Sequence, residues 1–216
     1  SPHREMLELI AGQVAIKLDL AEAHEQIREM ATTDGLTGLA NHRTFQQAFD
    51  NMLSRADRRG DPLAFILIDI DHFKKLNDNY GHPFGDEVLR GVARVLASAV
   101  RKVDLAARYG GEEFGVILEG SDREGARQMA ERIRAEVEAL TFQHESKGEV
   151  RVTLSLGVAA FPGDGSEKEK LIANADLALY HAKHGGRNQV CCFADLPPEA
   201  RAMPVSPPPD PAEAAR

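Results

Sequence analysis

The sequence predicts an α+β fold in which one central sheet of about five strands is wrapped by helices and preceded by a long N-terminal helix. Helical and strand-like apolar patterns are mixed along the middle of the chain, which indicates one sheet with helices packed around it. Seven of the eleven prolines lie beyond residue 195, so we expect residues 194–216 to be disordered. The folded domain should then span residues 32–193.

Residues 1–31 have the pattern of a helix that pairs with a second copy of the chain. The seam consists of Met6, Gln13, Leu20 and Ile27 at one heptad position and Leu9, Ile16, Ala23 and Met30 at the other. Seven of these eight residues are apolar, and Gln13 would set the register, which favours a parallel coiled coil and a homodimer. The alternative is a helix packed on its own domain.

The domain begins where two glycines at 35 and 38 break the N-terminal helix. The elements expected after this point are a helix through Phe45, Phe49 and Leu53, a strand at 63–68 buried on both faces, a helix at 86–100, a hairpin at Gly110-Gly111, a helix at 122–140, a strand at 150–161 with Val152, Leu154, Leu156 and Val158 pointing inward, a helix at 171–183, and a short strand through Val190 and Phe193.

Composition narrows the classes of partner. A net charge of −8 argues against a nucleic-acid polymer, because phosphate contacts along a polymer need a surplus of Lys and Arg, whereas a few local groups suffice for a single nucleotide. No apolar stretch approaches the roughly 20 residues that span a bilayer, and no secretory signal occurs, so we expect a cytoplasmic chain without a membrane segment. We interpret the adjacent Cys191 and Cys192 as packing or surface thiols.

Two acidic clusters are the first candidates for chemistry. Asp69-Ile70-Asp71 ends the apolar strand, and Glu112-Glu113 follows the paired glycines of the hairpin. If these two strands are neighbours, Asp69 and the Glu pair converge with a backbone carbonyl into a hard-oxygen site suited to Mg²⁺, which usually arrives with substrate phosphates. The alternative is that both clusters are solvated acids of turns.

Several other metal and nucleotide motifs are missing from the sequence. The segment from Asp69 has Lys74 in place of the sixth-position glycine of an EF-hand and Tyr80 in place of its bidentate glutamate. Neither a GxxxxGK[ST] loop nor a GxGxxG fingerprint occurs, which removes the signatures of P-loop NTPases and dinucleotide dehydrogenases. HExxH and paired CxxC motifs are also absent, so a zinc site has no support.

Five motifs follow one another in order between residues 32 and 193. They are Asp34-Gly35-Leu36-Thr37-Gly38-Leu39-Ala40-Asn41; Asp69-Ile70-Asp71-His72-Phe73-Lys74-Lys75-Leu76-Asn77-Asp78 with Gly81-His82 and Gly85-Asp86; Arg108-Tyr109-Gly110-Gly111-Glu112-Glu113-Phe114; Ser155-Leu156-Gly157-Val158-Ala159; and Tyr180-x-Ala182-Lys183-x-x-Gly186-Arg187-Asn188. In this set and order they resemble the motifs of GGDEF-type diguanylate cyclases, with Glu in the third signature position as an accepted variant.

The resemblance implies a mostly antiparallel, palm-like sheet and an enzyme that condenses two GTP molecules into cyclic di-GMP and two pyrophosphates. It implies two Mg²⁺ ions per active site, with Mn²⁺ able to substitute. Asp69, the Ile70 carbonyl and Glu112 would hold Mg²⁺, and Glu113 would contribute to the second ion or to the 3′-hydroxyl. These three carboxylates are therefore the expected catalytic residues.

The resemblance also implies how the substrate is held. The residues concerned are Phe73 and Lys74, whose backbone N–H groups would approach the phosphates, Asn77 and Asp86, which would recognise guanine, and Lys183 and Arg187, which would bind the terminal phosphates. A carboxylate can accept from guanine N1–H and N2–H₂, so we expect selectivity for GTP over ATP. Lys183 and Arg187 are spaced as one helical turn, so we expect both on one helical face.

Arg101 and Asp104 lie where the family has an R-x-x-D inhibitory site for the product, cyclic di-GMP, and we expect Arg132 to complete it. As a bare pattern these residues would be surface charge. Because one domain holds one GTP, the reaction requires a homodimer, which the N-terminal helix would bring together. In the family this helix usually links to an upstream sensor or receiver domain, and we expect such a domain to be missing from this sequence.

Three other functions remain as alternatives. The first is a catalytically inactive module that binds GTP or cyclic di-GMP as a receptor, although every expected signature acid is present. The second is a structural dimerisation element, which leaves the acids unexplained. The third is a different nucleotidyl cyclase, which activity with ATP would reveal.

Overall fold

A computed structural model describes residues 32–201, so the predicted coiled coil at 1–31 and the predicted tail beyond residue 201 lie outside the described residues. The elements are α1 (His42–Arg59), β1 (Leu63–Ile70), α2 (Phe73–Tyr80), α3 (His82–Ala99), β2 (Leu105–Arg108), β3 (Glu113–Glu119), α4 (Arg123–Glu138), β4 (Phe142–His144), β5 (Gly148–Val150), β6 (Leu154–Phe161), α5 (Lys168–His184), β7 (Val190–Cys192), a 3₁₀ turn (Phe193–Asp195) and α6 (Pro198–Arg201).

The central sheet has five strands in the order β2-β3-β1-β6-β7. Every neighbouring pair is antiparallel except β6 and β7, which are parallel. The predicted α+β fold and mostly antiparallel sheet are thereby confirmed. The order places β1 at the centre, so the ends of β1 and β3 that carry the two acidic clusters are adjacent.

Helices cover both faces of this sheet. Alternate residues of β1, such as Ile66 and Ile68, pack with α3 and α4 on one face. The residues between them, such as Phe65 and Leu67, pack with α1 and α5 on the other face. Because β1 and β6 are buried at every position, their apolar sequences have no polar alternation.

The structure corrects three expectations about the elements. The strand predicted at 150–161 is divided, because 148–150 pairs with 142–144 in a separate two-stranded sheet and only Leu154–Phe161 joins the central one. The four residues predicted to point inward, Val152, Leu154, Leu156 and Val158, are all buried on one face as expected, but the opposite face of the strand is covered as well. The helix predicted at 86–100 begins at His82, and the eight-residue α2 before it, which buries only Phe73 and Leu76, was not predicted.

The described chain remains packed beyond residue 194, where disorder was expected to begin. Leu196 and Ala200 are buried against Leu177 and Ala178 of α5. Pro198 stands at the first position of α6, where a proline is compatible with a helix because its missing N–H would be unpaired there anyway. Within residues 32–201, no helix combines the length and apolar character needed to cross a membrane.

Candidate active site

The two acidic clusters meet at one end of the sheet. Asp69, the second-to-last residue of β1, is directly opposite Glu113, the first residue of β3. Since side chains alternate between faces, both project toward the face that α1 and α5 cover. Glu112 precedes β3 in the hairpin, and its carbonyl oxygen accepts from the Ile70 amide over 3.4 Å. The expectation that the two strands are neighbours is confirmed.

Lys183 of α5 reaches this end of the sheet from the side. Its Nζ lies 2.8 Å from Asp69 Oδ2. The Asp69 side chain is 8% exposed and that of Lys183 is 32% exposed, so the ion pair is shielded on the acidic side and open on the basic side. This contact joins the fifth motif to the second.

The electrostatics of the cluster favour an added cation. Burial raises the pKa of Asp69, Glu112 and Glu113 above their ordinary values. The charge on Asp69 raises the pKa of both glutamates further, while Lys183 opposes the shift of all three. A divalent cation would offset this mutual repulsion, and carboxylate and carbonyl oxygens are the ligands that Mg²⁺ prefers. The donor set therefore fits magnesium.

Asp69, Glu112 and Glu113 were predicted to converge on one metal site, but their side chains do not form a closed cluster. Within residues 32–201, no group of three or more His, Cys, Asp or Glu side chains is arranged to hold a metal ion. Glu112 lies in the hairpin and Glu113 begins β3, and Asp69 is engaged by Lys183. Asp69, Glu112 and the backbone of Ile70 remain adjacent.

A cleft of about 330 Å³ opens beside these acids. Its lining residues are Asp69, Asp71, His72, Phe73, Lys74, Lys75, Asp78, Glu112, Lys183 and Arg187. It thus brings together six of the residues expected at the site from the sequence. Glu113, Ile70, Asn77, Asp86, Arg101 and Asp104 are not part of this lining.

Arg187 reaches the cleft differently from the way the sequence predicted. Helix α5 ends at His184, and Arg187 follows in a turn with a positive φ of 62°. Its amide donates to the Ala182 carbonyl oxygen over 3.0 Å, which folds the turn back onto the helix. The prediction of a shared helical face with Lys183 is therefore wrong, although both side chains line the same cleft.

The two residues expected to bind guanine lie on successive helices. Asn77 is on α2 and Asp86 is on α3, joined through the turn at Gly81. The Asn77 Oδ1 atom is buried without a hydrogen-bond partner among the described residues. A Cβ atom on Gly85 would lie 1.9 Å from that oxygen, so glycine at 85 is what leaves room for the Asn77 amide.

The opening motif positions the glycine hairpin, a role that the sequence did not indicate. Asp34 accepts from the Thr37 amide at 2.9 Å and the Thr37 hydroxyl at 2.7 Å, and it pairs with Arg108 at 3.2 Å. Arg108 also donates to the Gly111 carbonyl oxygen at 2.7 Å. Burial acts to raise the pKa of Asp34, but the Thr37 hydrogen bonds and the Arg108 charge outweigh it and hold the pKa below its ordinary value.

Arg101 and Asp104 form a closed pair away from the cleft. Arg101 makes two side-chain hydrogen bonds to Asp104, at 2.8 and 2.9 Å. Asp104 also accepts from the Arg101 and Glu119 amides, and its side chain is fully buried. Asp104 therefore holds the turn before β2, whereas the Arg101 side chain is 56% exposed. Arg132 donates to the Ala99 carbonyl oxygen at 2.8 Å, which places it beside this turn.

The fold and the cleft together define a palm-like α+β domain with acidic groups at the end of its sheet and basic groups across from them. The family model described as "Diguanylate cyclase, GGDEF domain" matches residues 31–189. The chain therefore belongs to the GGDEF-domain family.

The curated relatives with named functions are longer than the region that matches this chain. The response regulator PleD of Caulobacter vibrioides is 48% identical over 163 residues, which are 75% of this chain and 36% of PleD. Diguanylate cyclase A of Treponema denticola is 37% identical over 200 residues, which are 91% of this chain and 53% of that protein. The chain thus spans between about a third and about half the length of these curated relatives.

Solved structures show the same domain. The coiled coil and GGDEF domain of DgcB from Caulobacter crescentus, in complex with c-di-GMP, has a TM-score of 0.77 and 38% identity, and the match covers 85% of this chain and 96% of that one. The active GGEEF domain of a diguanylate cyclase from Vibrio cholerae has a TM-score of 0.66 and 35% identity, covering 72% and 97%.

Proposed function

We propose that this chain is a diguanylate cyclase that condenses two GTP molecules into cyclic di-GMP and releases two pyrophosphates. The observation that carries the proposal is the cleft in which Asp69 and Glu112 face Lys183 and Arg187. Acids that can hold a divalent cation and bases that can hold phosphates are the two requirements of nucleotidyl transfer. Named diguanylate cyclases among the relatives support the same reaction.

The acids would hold the metal. Asp69, the Ile70 carbonyl and Glu112 are the proposed ligands of one Mg²⁺, and Glu113 serves the second ion or the 3′-hydroxyl; Mn²⁺ can substitute. When bound, the metal supplies charge neutralisation at the phosphates and lowers the pKa of the attacking hydroxyl. The raised pKa of each carboxyl reflects charge that lacks full compensation, which is why cation binding would be favourable here.

The bases would hold the triphosphate. A cation at Asp69 would compete with Lys183 for the carboxylate, leaving the Lys183 ammonium for the terminal phosphates beside Arg187. The first residues of α2, Phe73 and Lys74, offer backbone N–H groups at a helix start where His72 makes no side-chain cap. Both residues line the cleft, so an anion bound there could accept from these groups.

Asn77 and Asp86 would select guanine. The Asp86 carboxylate can accept from N1–H and N2–H₂ of guanine, groups that adenine does not present in the same arrangement. The unpartnered, buried Asn77 Oδ1 supports a ligand-directed role for this amide, because buried polar atoms are rarely left unpaired. We therefore propose GTP, and not ATP, as the substrate.

The reaction requires two copies of the domain. The 3′-oxygen of one GTP attacks the α-phosphorus of the other, the bond to the β-phosphate oxygen breaks, and pyrophosphate leaves; a second, symmetric attack closes the ring. The coiled coil predicted at 1–31 would raise the effective concentration of the partner. An upstream sensor or receiver domain would control this pairing in the cytoplasm. Product bound at the turn that Asp104 holds, against the exposed Arg101 and Arg132 side chains, would inhibit the reaction.

The test is product formation by the purified chain. Bound nucleotide is stripped, the chain is incubated with GTP and Mg²⁺, and the nucleotides are resolved by chromatography beside a Glu112→Ala control. Cyclic di-GMP from the wild type alone supports the proposal and the metal role together. No product at protein concentrations that force dimerisation would favour the receptor alternative, and a mixed or adenine dinucleotide would favour a different cyclase.

A further inference from the structure

The turn that carries Arg187 has an unusual backbone. Three successive residues have positive φ angles, with Gly186 at 121°, Arg187 at 62° and Asn188 at 45°. Glycine adopts such angles freely and asparagine tolerates them, but an arginine rarely does. A conformation of this kind persists only where neighbouring contacts impose it. The contacts that impose it here centre on Asn188.

Asn188 is held on three sides. Its backbone amide donates to Asp71 Oδ2 over 3.0 Å. Its side-chain oxygen accepts from Arg134 Nη1 at 2.8 Å, and its side-chain nitrogen donates to Glu138 Oε1 at 2.7 Å. The backbone amide and the side-chain amide of Asn188 are therefore held by residues from two other parts of the fold, Asp71 and helix α4.

Asp71 is a rigid partner. It is 7% exposed and accepts from the Thr153 and Ser155 hydroxyls, each at 2.7 Å. Its own amide donates to the Thr153 carbonyl oxygen over 2.9 Å. The two aspartates on either side of Ile70 therefore have different partners, since Asp69 pairs with Lys183 and Asp71 anchors the Asn188 turn.

The partners on α4 lie outside the cleft. Arg134 pairs with Glu138 at 2.7 Å and with Glu131 at 2.8 Å, and its side chain is only 19% exposed. Neither Arg134 nor Glu138 lines the cleft. Hydrogen bonds between charged groups and an amide are stronger than neutral ones, so this pair can fix the Asn188 side chain firmly.

We propose that Asn188 is a positioning residue for the phosphate site, through which Arg134, Glu138 and Asp71 fix the left-handed turn that presents the Arg187 guanidinium to the terminal phosphates of GTP. This inference rests on the proposed function, because it takes the ligand of Arg187 to be a triphosphate. Since the terminal phosphates are bound before the bond to the α-phosphorus forms, Asn188 acts on substrate affinity more than on the chemical step.

The test variant is Asn188→Gly, because glycine keeps the positive φ available and removes only the side chain. We expect KM for GTP to rise by on the order of tenfold while kcat changes by less than about threefold. In an Arg187→Ala background the same substitution should add less than about a twofold change, because Asn188 acts through Arg187.

A matched pair on α4 provides the control. Glu138 and Glu131 both pair with Arg134 and are similarly exposed, at 46% and 49%, but only Glu138 contacts Asn188. Glu138→Ala should raise KM, on the order of threefold or more, and Glu131→Ala should leave it within about twofold. If thermal unfolding shows that Asn188→Gly does not fold, the comparison of Glu138→Ala with Glu131→Ala tests the role of Asn188 instead.

Binding of GTP with Mg²⁺, measured by calorimetry on the same variants, separates the two proposals. A wild type that binds GTP but does not turn it over refutes the cyclase proposal. In that case the role of Asn188 is still tested, because the effects expected in KM should appear in the Kd for GTP of the same variants. An unchanged KM and Kd in folded Asn188→Gly, an equal effect with and without Arg187, or a loss confined to kcat each overturns the role of Asn188. A wild type that neither binds nor turns over GTP overturns both.

Discussion

Lys183 Nζ lies 2.8 Å from Asp69 Oδ2, joining α5 to the end of the central strand. The partially exposed ammonium and the buried carboxylate are the two charges that the proposed reaction must separate, since the carboxylate would take the metal and the ammonium the phosphates. The ion pair therefore links the stability of the free domain to its activity.

Removing the Lys183 charge should reduce both the stability and the cyclase activity of the domain. Lys183 lowers the pKa of Asp69, Glu112 and Glu113, so Lys183→Met leaves their buried charge less compensated and should lower the melting temperature near pH 7. Cyclase activity should fall by about 10²-fold. Lys74→Met is the matched control, because Lys74 is proposed to act through its backbone, and its kcat/KM should stay within about threefold of wild type. Equal losses in both variants would contradict the assignment.

The raised carboxyl pKa values predict a pH dependence of stability. A carboxyl whose folded pKa lies above its unfolded value binds more protons when folded, so its effect on stability is most favourable below the unfolded pKa and is lost as pH rises through the folded one. Glu113→Gln removes this loss and should raise the melting temperature of the metal-free protein near pH 7.

The advantage of Glu113→Gln should shrink as pH falls below the ordinary glutamate range, since both proteins are then neutral at this position. Mg²⁺ should also raise the melting temperature of the wild type more than that of the variant. Thermal unfolding across pH, with and without Mg²⁺, measures both. A variant less stable than wild type near pH 7 would show that Glu113 ionises without strain.

Glycine at 85 should control guanine recognition. A Cβ atom there would lie 1.9 Å from Asn77 Oδ1, so Gly85→Ala must displace the Asn77 side chain. We expect KM for GTP to rise on the order of tenfold, with a smaller preference of the enzyme for GTP over ATP. Gly35→Ala, where the added atom meets nothing within 4 Å, is the control and should behave as wild type. Steady-state kinetics with GTP and with ATP measure the KM and the nucleotide preference of both variants.

Substitutions of Asp104 and Arg132 should separate the structural role of this turn from its proposed role in product binding. Asp104 is fully buried and accepts four hydrogen bonds, so Asp104→Ala should cost about 2–4 kcal/mol of unfolding free energy. Arg132 is 52% exposed, so Arg132→Ala should change stability by less than about 0.5 kcal/mol. It should still weaken cyclic di-GMP binding by about tenfold, because arginine can pair with a phosphate in two hydrogen bonds. Unchanged affinity in Arg132→Ala would exclude it from the inhibitory site.

The sequence predicted the parts of the site that depend on local pattern. The position of Asp69 at the end of an apolar strand and of Glu112 beside two glycines followed from residue type and spacing, and the register of β1 with β3 confirms that they meet. The long, amphipathic α1 and α4 were also predictable, because their apolar residues recur with the helical period.

The remainder depends on contacts between distant residues. The positive φ angles of Arg187 and Asn188 are imposed by Asp71 and α4, which lie 117 and about 50 residues away in the chain, and no local pattern encodes them. The division at residues 151–153 follows from pairing of Gly148–Val150 with Phe142–His144 outside the main sheet. The link from Asp34 through Arg108 to Gly111 is likewise a tertiary feature.

The most direct test of the central claim is the stoichiometry of the reaction with GTP and Mg²⁺. Pyrophosphate and cyclic di-GMP are measured together on nucleotide-free protein, with ATP in a parallel reaction and Glu112→Ala as the inactive control. The proposal predicts two pyrophosphates for each cyclic di-GMP, with no product from ATP and none from the variant. Pyrophosphate or phosphate released without cyclic di-GMP, or a wild type no more active than Glu112→Ala, would contradict it.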